Sequence, residues 1–261
     1  MSSSGRLDGR AALVAHGGEA ARTLDAVAAI PAPDLTDPAV AEFAAQFALD
    51  VSSLDADQRA AYLAATGDTA FVVVQQIYAH DFLPRVRRVL DDVFGPGDWD
   101  DDTPAPADSW ALLEHLLVVV ARLHALDPTL TELVRLRGAR LHDCAVCRSR
   151  RSQDALDAGA SEADFDAVDS WPTSDLPAAS KAALGLVDAL VLGDPVPPGV
   201  RDLLTDEQIV EVVLDVMRNA ANKIAVALGA DAATVTDGVE LFRTDADGTL
   251  EVVGTAGSTL L

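Results

Sequence analysis

Both cysteines of the chain, Cys144 and Cys147, stand in one Cys-x-x-Cys. That spacing suggests dithiol–disulfide redox chemistry or half of a metal site. Three residues apart on a helix, the two side chains share a face. A disulfide needs Cα atoms about 4.4–6.8 Å apart, which one helical turn supplies. A structural zinc site takes four N or S ligands. His142 is the only histidine near the pair, and His80, His115 and His124 are distant in sequence, so a metal site is poorly motivated and none is expected. Two inert buried thiols are the plain alternative.

The surrounding charge favours redox chemistry. Between Arg135 and Arg151 lie six arginines and one acid, Asp143, in a chain with 42 acidic and 19 basic residues. A positive field stabilises the thiolate, which is the nucleophile. Arg148 and Arg151 each follow a cysteine by four residues, and on a continuing helix each guanidinium would lie over its own sulfur. For Arg135, Arg137 and Arg140, ordinary salt-bridging is the expected role. Glu132 precedes Cys144 by twelve residues, which is about 18 Å along a straight helix. It can act on the sulfurs only if the chain turns back, at Gly138 or at His142-Asp143. With His142 or Asp143 as cap, Cys144 would open a new helix whose N-terminus favours a thiolate. Taken alone, Glu132 reads as a first-turn glutamate.

The elements that must position these residues read as helices. Residues 1–35 are Ala-rich and broken by Gly17, Gly18, Pro31 and Pro33, which predicts a loose arm with a short helix near 19–29. Asp37-Pro38 starts a helix, a second follows Asp55, and a third spans residues 69–95 with Pro84 interrupting or kinking it. Residues 96–108 read as an Asp/Pro-rich loop. Residues 110–126 and 128–158 continue in helical pattern to Gly159. Further helices are expected after Ser161, over 181–192, and from the Thr205–Gln208 capping box to Leu228. The tail alternates apolar positions about Asp247-Gly248, a hairpin signal, and holds the only strand candidates. The chain thus divides into an arm (1–35), an N-terminal helical segment (36–125), a core bearing the cysteines (126–238) and a hairpin tail (239–261).

Composition bounds the function. Apolar residues make up 49% of the 261 residues, enough for a sizeable core. The net charge of −23 argues against nucleic acid and anionic membrane surfaces as partners. Neither a signal-like N-terminus nor a membrane-length apolar run is visible, so the cytoplasm is the expected location.

Glu-x11-Cys-x-x-Cys followed by a small-residue helix resembles the alkylhydroperoxidase D-like (carboxymuconolactone decarboxylase) superfamily. The later segment LTDEQIVEVVLDVMRNAANKIAVALGAD is similar to that family's closing helix. The resemblance covers about residues 126–232. It implies an all-α bundle that oligomerises, with both cysteines facing a buried pocket, to which this chain adds an N-terminal helical segment. It also implies hydroperoxide reduction, with Cys147 as peroxidatic cysteine, Cys144 as its resolving partner and Glu132 as ultimate base. The family's relay histidine is Arg151 here, and Val146 stands where some members carry histidine. Arginine stays charged and cannot relay a proton, which leaves His142 as the nearby imidazole that could substitute. Helix-terminus physics favours Cys144 as the low-pKa thiol, whereas the family relay favours Cys147.

The expectation is therefore a thiol-dependent peroxidase or disulfide oxidoreductase. No flavin, haem or nucleotide motif is visible, so no cofactor is expected and electrons come from an external dithiol or thioredoxin-like reductant. The alternative is a small-molecule-binding or redox-sensing protein on the same fold, with Arg151 anchoring an anion.

Overall fold

The computed structural model describes residues 7–99, 103–104 and 106–257. Most of its helices begin where a short polar side chain accepts a backbone N–H. Asp8 caps α1 (Gly9–Ala28), and Asp37 with Pro38 starts α2 (Pro38–Asp50). Asp55 and Gln58 form a capping box at α3 (Ala56–Thr66). α4 (Ala70–Phe94) buries Val74, Tyr78, Phe82, Val86 and Leu90, an i, i+4 stripe along one face. Pro84 lies inside this helix without ending it, so the expected interruption is not found. Asp108 caps α5 (Ser109–Ala121), which stops short of the predicted Leu126.

The segment expected to be a loose arm is a correction. α1 is twenty residues long, bends at Gly18 (φ 53°, ψ −119°) and buries Ala12, Leu13, Leu24 and Val27. It packs on α4, α5 and α12 (Asp206–Ala220). Its small residues permit that closeness. A Cβ at Gly9 would come within 2.9 Å of the Leu90 backbone.

The segment expected to stay helical through 128–158 is divided. α6 (Pro128–Leu141) is followed by α7 (Ala145–Arg148), β1 (Arg150–Ser152) and α8 (Gln153–Asp157). Then come α9 (Glu162–Asp166), α10 (Ala178–Leu192), closed by left-handed Gly193, and α11 (Val200–Leu203). The Thr205–Gln208 capping box opens α12, and α13 (Lys223–Leu228) follows after a break at Ala221-Asn222. α12 is the central helix: it touches α1, α4, α5, α6 and α10 and buries residues around its whole circumference.

The C-terminal hairpin pairs β2 (Val239–Thr244) with β3 (Leu250–Ala256), antiparallel, from Val239↔Ala256 to Thr244↔Leu250. Gly248, at φ 82°, makes its turn, and the site of a Cβ there is occupied by the Val118 carbonyl of α5. The hairpin tip thus docks on α5. β1 adds to β2 in parallel, Arg150↔Glu240 through Ser152↔Phe242. Strands are therefore not confined to the C-terminus, and a mostly helical molecule carries a small sheet of order β1-β2-β3. Among the described residues no helix is long and apolar enough to cross a membrane.

Candidate functional site

The chain reverses at His142-Asp143, one of the two predicted break points; Gly138, the other, lies inside α6. Asp143 takes a left-handed conformation (φ 48°), which among non-glycine residues Asn and Asp tolerate best. The Cys144 N–H then returns to the Ala139 carbonyl at 3.0 Å. Cys144 itself, rather than His142 or Asp143, is the N-cap of α7, and its Sγ accepts the Cys147 N–H at 3.3 Å. Asp231 secures the same turn, its carboxylate accepting from Ala145 N and its carbonyl from Val146 N, each at 2.8 Å. Cys144 and Cys147 are joined as a disulfide with a Cα–Cα distance of 5.3 Å. Cys144 is 1% exposed and Cys147 8%.

The disulfide borders a cavity of about 530 Å³ between α5, α6, α12 and the hairpin. Its apolar wall includes Leu117, Val118, Val146, Phe242 and Leu250. Its polar wall carries Arg135, Arg150, Arg218, Asn219, Asn222 and Glu114. Asn219 and Asn222 belong to the segment read as a family-like closing helix. The roles of Arg150, Arg218 and Phe242 were not legible from the sequence. Arg150 and Phe242 face the cavity only because β1 pairs with β2 across almost ninety residues of chain.

Glu132 is buried, and among the described residues no hydrogen bond joins it to either sulfur. Arg135 holds it bidentately, Nε to Oε2 at 2.6 Å and Nη2 to Oε1 at 2.7 Å, and Ser152 N donates to Oε1 at 3.1 Å. The link to the disulfide runs through Arg135, which donates to the carbonyls of Cys147 and Arg150, each at 2.8 Å. Arg135 thus does more than the ordinary salt-bridging expected of it.

Arg148 and Arg151 are corrections. α7 ends at Arg148, so Arg151 is not on a continuing helix with Cys147, and Arg148, at the helix end, is turned to Asp143. Arg148 is exposed and pairs with Asp143. Arg151 sits on β1, outside the cavity, held bidentately by Glu162 at 2.8 and 3.0 Å over the Phe165 ring. It donates also to the carbonyls of Arg148 and Arg150. His142 lines the cavity at the end of α6, but its Nε2 is buried without a hydrogen-bond partner. Burial, with Lys223 and Arg85 adding positive charge against the opposing Asp50, pushes this imidazole from 6.5 down to about 3. It is neutral at physiological pH and a feeble base.

A second cavity, about 270 Å³, adjoins the first and shares Arg135, Arg218 and Phe242 with it. Its acids are Glu132, Glu211, Asp215 and Asp154. Burial raises Glu211 to about 7, despite backbone N–H donors from Ala125 and Leu126. Burial also raises Asp215, against the opposing pull of Arg218. Among the described residues no three His, Cys, Asp or Glu side chains are grouped to hold a metal ion.

No family model matches the chain. No solved structure matches it. Two proteins of Mycobacterium tuberculosis do: uncharacterized protein MT2376 of strain CDC 1551 / Oshkosh and uncharacterized protein Rv2313c of strain ATCC 25618 / H37Rv. Each is 44% identical over 225 residues, a match covering 80% of this chain and 78% of the relative. On identity of that extent, the chain belongs to the family of these two mycobacterial proteins.

Proposed function

We propose that the protein is a thiol-dependent peroxidase that cycles the Cys144–Cys147 pair, with the roles of the two cysteines reversed from those that the alkylhydroperoxidase D-like resemblance implies. One observation carries this reading: the disulfide forms part of the wall of a cavity large enough for an organic substrate. A purely structural bridge needs no such opening.

The chemistry closes with one external reductant. The Cys144 thiolate attacks the terminal oxygen of a hydroperoxide. The O–O bond breaks, an S–O bond forms, and the alkoxide leaves and takes a proton to become the alcohol. Cys147 then attacks the sulfenic sulfur. The disulfide forms, and the hydroxyl departs with a proton as water. An external dithiol attacks Cys147, releases the Cys144 thiolate, and is itself oxidised to a disulfide in the second exchange. The Cys147 N–H aimed at Cys144 Sγ supports Cys144 as the better-stabilised thiolate and leaving group. The greater exposure of Cys147 supports it as the point of attack for the reductant.

The second reading is a binding or redox-sensing protein. It is favoured by the engagement of both Glu132 oxygens and by the low basicity of His142, which leave the sulfurs without a proton relay of the family's kind. Stopped-flow mixing of the reduced protein with cumene hydroperoxide tests the choice. The peroxidase reading expects oxidation well above the rate of free dithiothreitol, arrest at a sulfenic acid in Cys147→Ser, and no fast phase in Cys144→Ser. A rate matching free dithiol rejects it in favour of sensing.

A further inference from the structure

The same cavity has a basic face with unengaged donors. Among the described residues three guanidinium groups line it, against the one lining carboxylate of Glu114, in a chain whose net charge is −23. Arg135 is engaged by Glu132 and two carbonyls, as described. Arg150 gives Nε to Glu240 at 2.6 Å, and Arg218 gives Nε to the Leu117 carbonyl at 3.1 Å and Nη1 to Asp215 at 3.3 Å. Among the described residues no other hydrogen bond engages the guanidinium of Arg150 or of Arg218, which leaves both Nη groups of Arg150 and Nη2 of Arg218 without protein acceptors. Their side chains are only 26% and 18% exposed. Half-buried, partly unpaired guanidinium groups beside an apolar wall make a selective arrangement. A planar guanidinium donates in parallel pairs to a carboxylate, and the apolar wall favours a hydrocarbon body.

We propose that the cavity takes an amphipathic organic carboxylate, with its acid group held by Arg150 and Arg218 and its aliphatic body laid on Phe242 and Leu250 toward the disulfide. In the reduced enzyme the substrate is such an acid carrying a hydroperoxide on its chain. The hydroperoxide half of this inference rests on the peroxidase reading. The carboxylate half does not, because binding to the oxidised protein needs no turnover. The anion anchor is thus Arg150 with Arg218, in place of the Arg151 expected from the sequence.

Calorimetric titration of the full-length oxidised protein with decanoate, and with decanol as its uncharged counterpart, tests the assignment. Decanoate is expected to bind more tightly than decanol. Arg150→Gln and Arg218→Gln are each expected to weaken decanoate by roughly ten- to a hundredfold, the range for a lost charge-assisted bond, while leaving decanol unchanged. Arg150→Lys should retain part of the affinity, and Arg148→Gln, outside the cavity, all of it. Should Arg218→Gln fail to fold, the Arg150 pair carries the test. Equal binding of decanoate and decanol, no binding of decanoate, or a folded Arg150→Gln with wild-type affinity would overturn the proposal. The two readings fail separately. Decanoate binding without hydroperoxide reduction removes the peroxidase and leaves the carboxylate site; cumene hydroperoxide turnover without decanoate binding does the reverse.

Discussion

Both oxygens of Glu132 already have partners, and the proton inventory near the sulfurs is correspondingly poor. A carboxylate that receives an arginine bidentately and a backbone N–H is an acceptor in a structural network. Through Arg135 it fixes the carbonyl of Cys147 and so sets where the disulfide sits. His142 is no substitute base, because its neutral form is the one the interior tolerates. The folded imidazole is held at about 3, below the 6.5 of the unfolded chain. The unfolded state therefore takes up protons first, and the stability due to neutral burial is present above 6.5 and lost as pH falls toward 3. Between pH 6.5 and about 4.5 the loss from this group is about 2 kcal/mol. In urea unfolding across that interval, His142→Gln should show a pH slope shallower by that amount. An unchanged slope would mean that the imidazole is hydrated in the folded protein.

Elements were legible where their ends carry capping chemistry. The helix starts at Asp37-Pro38 and Asp55, the Thr205–Gln208 box, the Gly193 and Gly229 stops and the Asp247-Gly248 turn all appear in the fold. Ser161 also opens α9 as expected. β1 was not legible: three charged or polar residues have no period, and their strand conformation is supplied by pairing with β2. That same distant pairing hid Arg150 and Phe242 as cavity residues and took Arg151 away from the sulfurs. α1 was underestimated because Gly17, Gly18, Pro31 and Pro33 read as breaks in an Ala-rich arm, whereas Gly18 only bends the helix and the small residues are what let it seat. The α6–α7 turn was legible as a break but not its cap. Its hinge, Asp143 at φ 48°, is also the element's most exacting position. A β-branched residue is strained there, so Asp143→Val should cost about 1–3 kcal/mol in chemical unfolding, while Asp143→Gly stays within about 1 kcal/mol of wild type. Equal losses in both variants would place the cost in the Asp143–Arg148 ion pair instead of the backbone.

At the scale of the molecule, the N-terminal helices and the cysteine-bearing half share one buried interior. A continuous apolar cluster runs from Ala12 in α1 to Ala227 in α13. Polar ties cross it as well. Tyr78 of α4 donates to the Met217 carbonyl of α12 at 2.6 Å, and Lys223 of α13 pairs with Asp81 of α4 at 2.6 Å with both side chains at most 5% exposed. Arg85 of α4 reaches the carbonyls of Leu190 and Val191 on α10 and of Ala48 on α2. Against this framework the disulfide closes a very short loop, and loop-closure entropy limits its contribution to about 2 kcal/mol. A redox pair that cycles requires that limit, because both the dithiol and the disulfide must stay folded. Thermal unfolding should therefore show one cooperative transition in either redox state, with far-UV dichroism and the fluorescence of Trp99, Trp110 and Trp171 coinciding. Dithiothreitol should lower its midpoint by a few degrees only. Two separated transitions would show that the halves fold independently. Loss of the folded state on reduction would make the bridge a structural staple and remove the basis for a catalytic cycle.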